Sequence, residues 1–159
     1  MSQRINYYGV APKALESFIK VAAPADLEAA GIDERLQELV KIRASQINGC
    51  AYCLHMHTAD SLKAGERPER IFLLDAWRES KMFTPRERAA LTWTESLTRL
   101  PETGAPDADF AALKPHFTDE QIVWLTMLIG AINTWNRIAV GFRAEHPNDK
   151  RLARELEAA

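Results

Sequence analysis

Cys50-Ala51-Tyr52-Cys53 places two thiols two residues apart, with His55 and His57 following closely. Thiols at this spacing can close a small-ring disulfide. If they stand at the start of a helix, the free backbone N–H groups and the macrodipole stabilise negative charge on sulfur. Thiols in such settings ionise at roughly 3.5–7.5 instead of about 8.5, and a thiolate at neutral pH is a nucleophile. On a helix, Cys50, Cys53 and His57 are related by three and four residues and share one face. His57 is one turn beyond Cys53, within reach of its sulfur directly or through one water, whereas His55 points to the opposite side. His57 is therefore the candidate base. The dipole favours Cys50 as the more acidic thiol and the nearness of His57 favours Cys53, so the residues alone leave both as candidate nucleophiles.

The neighbouring elements must bring a partner to His57. Asp33 is a predicted N-cap, and Leu36, Leu39, Val40, Arg43 and Ile47 follow at helical spacing. Asn48-Gly49 stops that helix and turns the chain. A second helix from about Cys50 to Ala64, ended by Gly65, would complete an antiparallel hairpin. Glu38 is about ten residues before the turn and His57 about nine after it. At about 1.5 Å rise per residue the two fall at similar heights. A carboxylate there would orient His57 and raise its basicity. Glu38 lies off the Leu36–Ile47 stripe, on a line with Ile42 and Ser45, so its meeting with His57 depends on the rotation of the hairpin.

The rest of the chain is also read as helical. A helix after Pro12 carries Leu15, Phe18, Ile19 and Val21 or Ala22, and Pro24 ends it. Pro68 opens a helix with Ile71, Phe72, Leu74 and Trp77. Thr84-Pro85-Arg86-Glu87 and Thr118 to Gln121 are capping-box starts. The first precedes an amphipathic helix from Ala89 to Leu97. The second opens the most apolar helix, Ile122 to Val140, which is expected in the core or a subunit interface. Residues 100–115 read as a loop with at most a short helix near Phe110, and the tail after His146-Pro147 as a solvated charged segment. His116 and His146 are expected in solvent, and Arg67, Arg70, Arg86 and Arg88 on a charged surface. Trp77, Trp93, Trp124 and Trp135 are expected as core or interface anchors. The expected architecture is all-α, a bundle of about six helices in one domain spanning residues 1–159. Its motif-bearing core covers about 33–100, and its C-terminal apolar helix about 118–142.

Composition narrows the function. The chain has 159 residues, 47% of them hydrophobic and 26% charged, which suits one globular domain with a sizeable core. A net charge of −2 and a pI near 6.1 supply no basic field for nucleic acid. No apolar run reaches the roughly 18 residues of a membrane span, and the first twenty residues lack the apolar core of a secretory signal. The expected location is the cytoplasm. Two cysteines exclude a disulfide-scaffold protein. No Gly-rich phosphate loop, cofactor box or Ser/His/Asp set is present, and no cofactor is expected.

The run of Glu38, eleven residues, Cys50-Ala51-Tyr52-Cys53, three residues and His57 resembles the motif of the alkylhydroperoxidase D-like branch of the carboxymuconolactone decarboxylase superfamily. The likeness is dense from about Arg35 to Thr98. It extends loosely to Ile132-Asn133-Thr134-Trp135-Asn136-Arg137, and the first thirty residues contribute little. The resemblance implies an all-helical fold, a thiol-dependent peroxidase and assembly into homotrimers or homohexamers. Carried over by position, Cys53 is the attacking thiolate, Cys50 the resolving thiol, His57 the base and Glu38 its support. The substrate would be a hydroperoxide, and the reductant an external dithiol or thiol-carrier protein. One departure stands out: the family's best-known enzyme has a histidine just before the second cysteine, and this chain has Tyr52. Tyrosine can donate a hydrogen bond but is a poor base at pH 7.

Other readings of the same residues are distinguishable. A disulfide-exchange adaptor or redox sensor would use the same dithiol with slow peroxide turnover. A decarboxylase-type lyase of the superfamily would not need the cysteine pair. Zinc could draw on Cys50, Cys53 and His57, but a regular helix turns His55 away from a fourth position, and no metal is expected there.

Overall fold

The computed structural model describes residues 2–21 and 24–158. Among these residues there are eleven α-helices, one 3-10 turn and no strand. The helices are α1 (Tyr7–Val10), α2 (Pro12–Val21), α3 (Pro24–Ala29), α4 (Glu34–Asn48), α5 (Ala51–Lys63), α6 (Pro68–Leu73), α7 (Pro85–Thr98), α8 (Leu100–Thr103), α9 (Asp107–Ala111), α10 (Asp119–Phe142) and α11 (Pro147–Glu157). The all-α architecture with its Cys-x-x-Cys hairpin is as expected. The helix count exceeds six because α1, α3, α8 and α9 are one or two turns long, too short for a periodic apolar stripe to form, and because the charged tail forms α11. Ala22 lies outside the described residues. Pro24, expected to end α2, is instead the first residue of α3, where its missing N–H has no cost.

The helix starts follow their caps. Asp33 accepts from the Leu36 N–H to open α4, and Thr84 and Thr118 each close a full capping box on α7 and α10. Gly49 ends α4 at φ 64°, a left-handed conformation that costs any residue with a Cβ roughly 1–2 kcal/mol.

α4 is the central element and packs against α5, α7 and α10. One side contributes Leu36 and Val40 to a cluster with Ala90, Trp93, Leu125 and Ile129. Another contributes Leu39 and Ile42 to a cluster with Leu74, Trp77, Phe83 and Leu91. Each fully buried aliphatic side chain of this kind contributes about 1.5–3 kcal/mol. Phe72, expected on the α6 stripe, is 80% exposed, whereas Ile71, Leu74 and Trp77 at three-residue spacing are buried.

Two arginines are buried, one of them against expectation. Arg43, read as part of the α4 stripe, donates through Nε to Glu95 Oε1 at 2.8 Å and pairs with Asp75. Burial alone would push the Glu95 carboxyl up, but hydrogen bonds from Arg78, Trp77 and Arg43 hold it below the usual carboxylate range. Arg70, expected on the surface, is buried between Glu66 and Glu87.

An amide network locks the turn before Cys50. Asn48 Nδ2 donates to Asn133 Oδ1 (2.9 Å) and Asn136 Oδ1 (2.8 Å), and Asn136 Nδ2 donates to Ser45 Oγ (3.0 Å). The last turn of α4 is thereby tied to α10, which sets where α5 begins.

Candidate active site

Cys50 is the N-cap of α5 and its Sγ accepts from the Cys53 N–H at 3.3 Å, the role a Ser or Asp oxygen usually fills. The two sulfurs are paired as a disulfide, with Cα atoms 5.4 Å apart. Both residues are nearly fully buried, at 1% and 2% exposed. The backbone thus gives Cys50 the N–H contact that the helix dipole argument anticipates.

His57 lies one turn beyond Cys53 on α5, and its Nδ1 is 2.9 Å from Glu38 Oε2 on α4. Glu38 therefore faces α5, which resolves the hairpin rotation. Lys41 Nζ donates to the other Glu38 oxygen at 2.7 Å. Burial would raise the Glu38 carboxyl, but the hydrogen bond and charge of His57, with those of Lys41, keep it below its ordinary value. An ionised Glu38 makes Nδ1 of His57 the proton donor and leaves the lone pair on Nε2.

Cys53 and His57 open onto one cavity of about 230 Å³. Its walls are mostly apolar and aromatic, including Tyr7, Tyr52, Met56, Leu128 and Trp135, with Lys41 as the cationic group. Cys50 does not line this cavity. It lines a separate cleft of about 340 Å³ with Ala51, Arg143 and Glu145, and Tyr52 and Ala139 form the wall between the two. The disulfide is thus bordered on its two sides by different environments.

The structure brings all four sequence-predicted residues, Cys50, Cys53, His57 and Glu38, into one constellation. Sequence reasoning missed Lys41, which reads as an ordinary exposed lysine, and the N-terminal arm. Arg4 holds that arm on the end of α10, its N–H donating to Phe142 O at 2.9 Å and its Nη1 to Gly141 O at 3.0 Å. Tyr7 and Tyr8 then reach the cavity. Burial and the neighbouring Tyr8 and Tyr52 push the Tyr7 phenol up to about 12, so it stays protonated as a donor. The adjacent tyrosines in a polar segment were the available signal.

His55 faces away from His57, as the helix wheel requires. His146, expected in solvent, stacks on His55 at 3.8 Å between ring centroids and caps α11. The tail after Pro147 is a helix, because His146, Pro147 and Asp149 together supply a capping start.

Residues 12–96 match the sequence profile of the carboxymuconolactone decarboxylase family. The uncharacterized protein YdfG of Bacillus subtilis is 41% identical over 140 residues, 88% of this chain and 94% of that one. The chain belongs to the carboxymuconolactone decarboxylase family, in its alkylhydroperoxidase D-like branch. A solved protein of unknown function from Agrobacterium tumefaciens, which has been suggested to be an AhpD antioxidant defence protein, is 46% identical. It covers 92% of this chain and 99% of its own, with a TM-score of 0.86. The debrominase Bmp8 shares the fold alone, at 17% identity and a TM-score of 0.77 over 91% of this chain and 76% of its own.

Proposed function

We propose that this family member is a thiol peroxidase that reduces hydroperoxides through a Cys50–Cys53 dithiol/disulfide cycle. The observation that carries this reading is that Cys53 and a Glu38-oriented His57 open onto the same cavity. His57 Nε2 takes the Cys53 proton, directly or through one water. The thiolate attacks the terminal peroxide oxygen, the O–O bond breaks, and Cys53 becomes a sulfenic acid. The departing alkoxide takes the proton from His57 and leaves as alcohol, or as water when the substrate is hydrogen peroxide. Cys50 then attacks Cys53, closing the disulfide and releasing water. An external dithiol or thiol-carrier protein reopens it by exchange. The antioxidant assignment suggested for the Agrobacterium relative supports the same reading.

The cavity's aromatic and aliphatic walls favour an organic hydroperoxide over hydrogen peroxide. Exposed Val123 and Met127 on α10 support self-association, and the family resemblance implies a trimer or hexamer. The test is hydroperoxide consumption by the reduced protein with dithiothreitol, followed by mass spectrometry of the Cys50–Cys53 peptide. Catalytic peroxide loss is expected while dithiothreitol lasts, and one peroxide consumed per disulfide formed once it is removed. A reduced protein whose thiols survive excess peroxide would sink the proposal. The cleft beside Cys50 favours a second reading, a disulfide-exchange adaptor. Rapid thiol exchange with negligible peroxide turnover would select it.

A further inference from the structure

We propose that His55, His146 and Asp149 form a binding site for a transition-metal dication of the Zn²⁺ type, separate from the cysteine pair. One potential ligand atom from each of the three lies within 4.8 Å of the others. They come from two segments far apart in sequence: His55 from α5, and His146 with Asp149 from the first turn of α11.

The present contacts bring the three groups together. His55 Nδ1 is 2.9 Å from Asp149 Oδ1, and the His55 and His146 rings stack with an interplanar angle of 17°. Asn148 lies beside them, its Nδ2 3.4 Å from His55 Nε2. Zn–N bonds of about 2.0–2.1 Å and Zn–O bonds of about 2.0–2.2 Å put tetrahedral ligand atoms about 3.3 Å apart. An imidazole binds a metal in its ring plane, so the stacked His55 and His146 rings turn apart by side-chain rotation to face one ion.

The donor set selects the class of metal. Two imidazoles and one carboxylate suit Zn²⁺ and its first-row neighbours, whereas Ca²⁺ and Mg²⁺ require oxygen-rich cages. Three protein ligands leave the fourth position for water. The bound ion cross-links α11 to the helix that begins at Cys50. Ala144 and Glu145, which line the Cys50 cleft, immediately precede His146, so the same ion would steady one wall of that cleft.

The test titrates Zn²⁺ by calorimetry into the full chain with its Cys50–Cys53 disulfide intact, so that thiolates cannot supply ligands. One Zn²⁺ per chain with a dissociation constant of about 1 μM or tighter is expected. His55→Ala, His146→Ala and Asp149→Asn should each weaken binding by about 100-fold or more, with helix content checked by circular dichroism. Because His146 and Asp149 also cap α11, His55→Ala carries the result if that helix melts in the other two variants. The absence of Zn²⁺ uptake, uptake unchanged by His55→Ala, or equal uptake of Ca²⁺ would overturn the proposal.

Discussion

Glu38 Oε2 and His57 Nδ1 meet at 2.9 Å across the α4–α5 hairpin, 19 residues apart in sequence. The contact does two things at once. It fixes the imidazole tautomer so that Nε2 carries the lone pair, and it holds the ring on the side of α5 that shares the cavity with Cys53. Lys41 on the second Glu38 oxygen keeps the carboxylate ionised and in place.

Removing either member should therefore slow the first oxidation without abolishing it. His57→Gln should lower the second-order rate with hydroperoxide at pH 7 by about 10²-fold, the lower end of what a positioned base contributes. Glu38→Gln should lower it by about tenfold, since the imidazole remains but loses its orienting charge. Both deficits should shrink as pH rises past about 8.5, where a thiol ionises without help. Stopped-flow rates between pH 6 and 9 decide the matter. A deficit that stays constant across that range would mean His57 acts on something other than thiol ionisation.

The same carboxylate makes a prediction about acid stability. Its folded pKa lies below the ordinary carboxylate value because His57 and Lys41 favour the charged form against the cost of burial. The unfolded chain then binds a proton more readily than the folded one. The resulting stabilisation is present above the ordinary carboxylate range and is lost as pH falls through the lower folded value. Thermal melts of the wild type and Glu38→Gln should differ most near neutral pH and converge in acid. Parallel curves would show that Glu38 ionisation is not coupled to folding.

Much of this site was legible because helical geometry is so regular. The three- and four-residue intervals from Cys50 to His57 placed them on one face, and the Asn48-Gly49 turn set Glu38 at the right height. Hairpin rotation was not legible. It is decided by Leu39 and Ile42 packing beneath α7 and by the Asn48–Asn133–Asn136 amides, whose contacts span more than 80 residues. The tyrosines at the cavity and the stacking of His146 on His55 were hidden for the same reason. Arg4 and His146 act through partners at the far end of the chain, and no local periodicity announces such pairings.

The amide lock should be measurable. Asn48→Ala removes the donor that reaches Asn136 Oδ1, and Asn136 is almost fully buried at 1% exposed. Leaving that acceptor unsatisfied costs about 1–3 kcal/mol. At this chain length each kcal/mol lowers Tm by roughly 2–4 °C. Asn133 Oδ1 keeps the Arg137 guanidinium as donor, so it adds little to the loss. Calorimetric melting tests this, and an unchanged Tm would show that water replaces the Asn48 amide.

The two thiols should separate by mutation even though they sit in one disulfide. The backbone favours Cys50, whose sulfur accepts the Cys53 N–H at the positive end of α5. The cavity favours Cys53, which shares it with His57 and Lys41 while Cys50 opens onto the other cleft. A peroxide entering the first cavity meets Cys53, so access should outweigh intrinsic acidity. Cys53→Ser should abolish peroxide turnover. Cys50→Ser should retain the first oxidation and strand a sulfenic acid on Cys53, detectable with a sulfenate-trapping reagent and mass spectrometry. It should also overoxidise in excess peroxide, because no neighbouring thiol condenses with the sulfenic acid. If Cys53→Ser keeps the first oxidation and Cys50→Ser loses it, the N–H contact at Cys50 outweighs the cavity, and the substrate enters through the cleft beside Arg143.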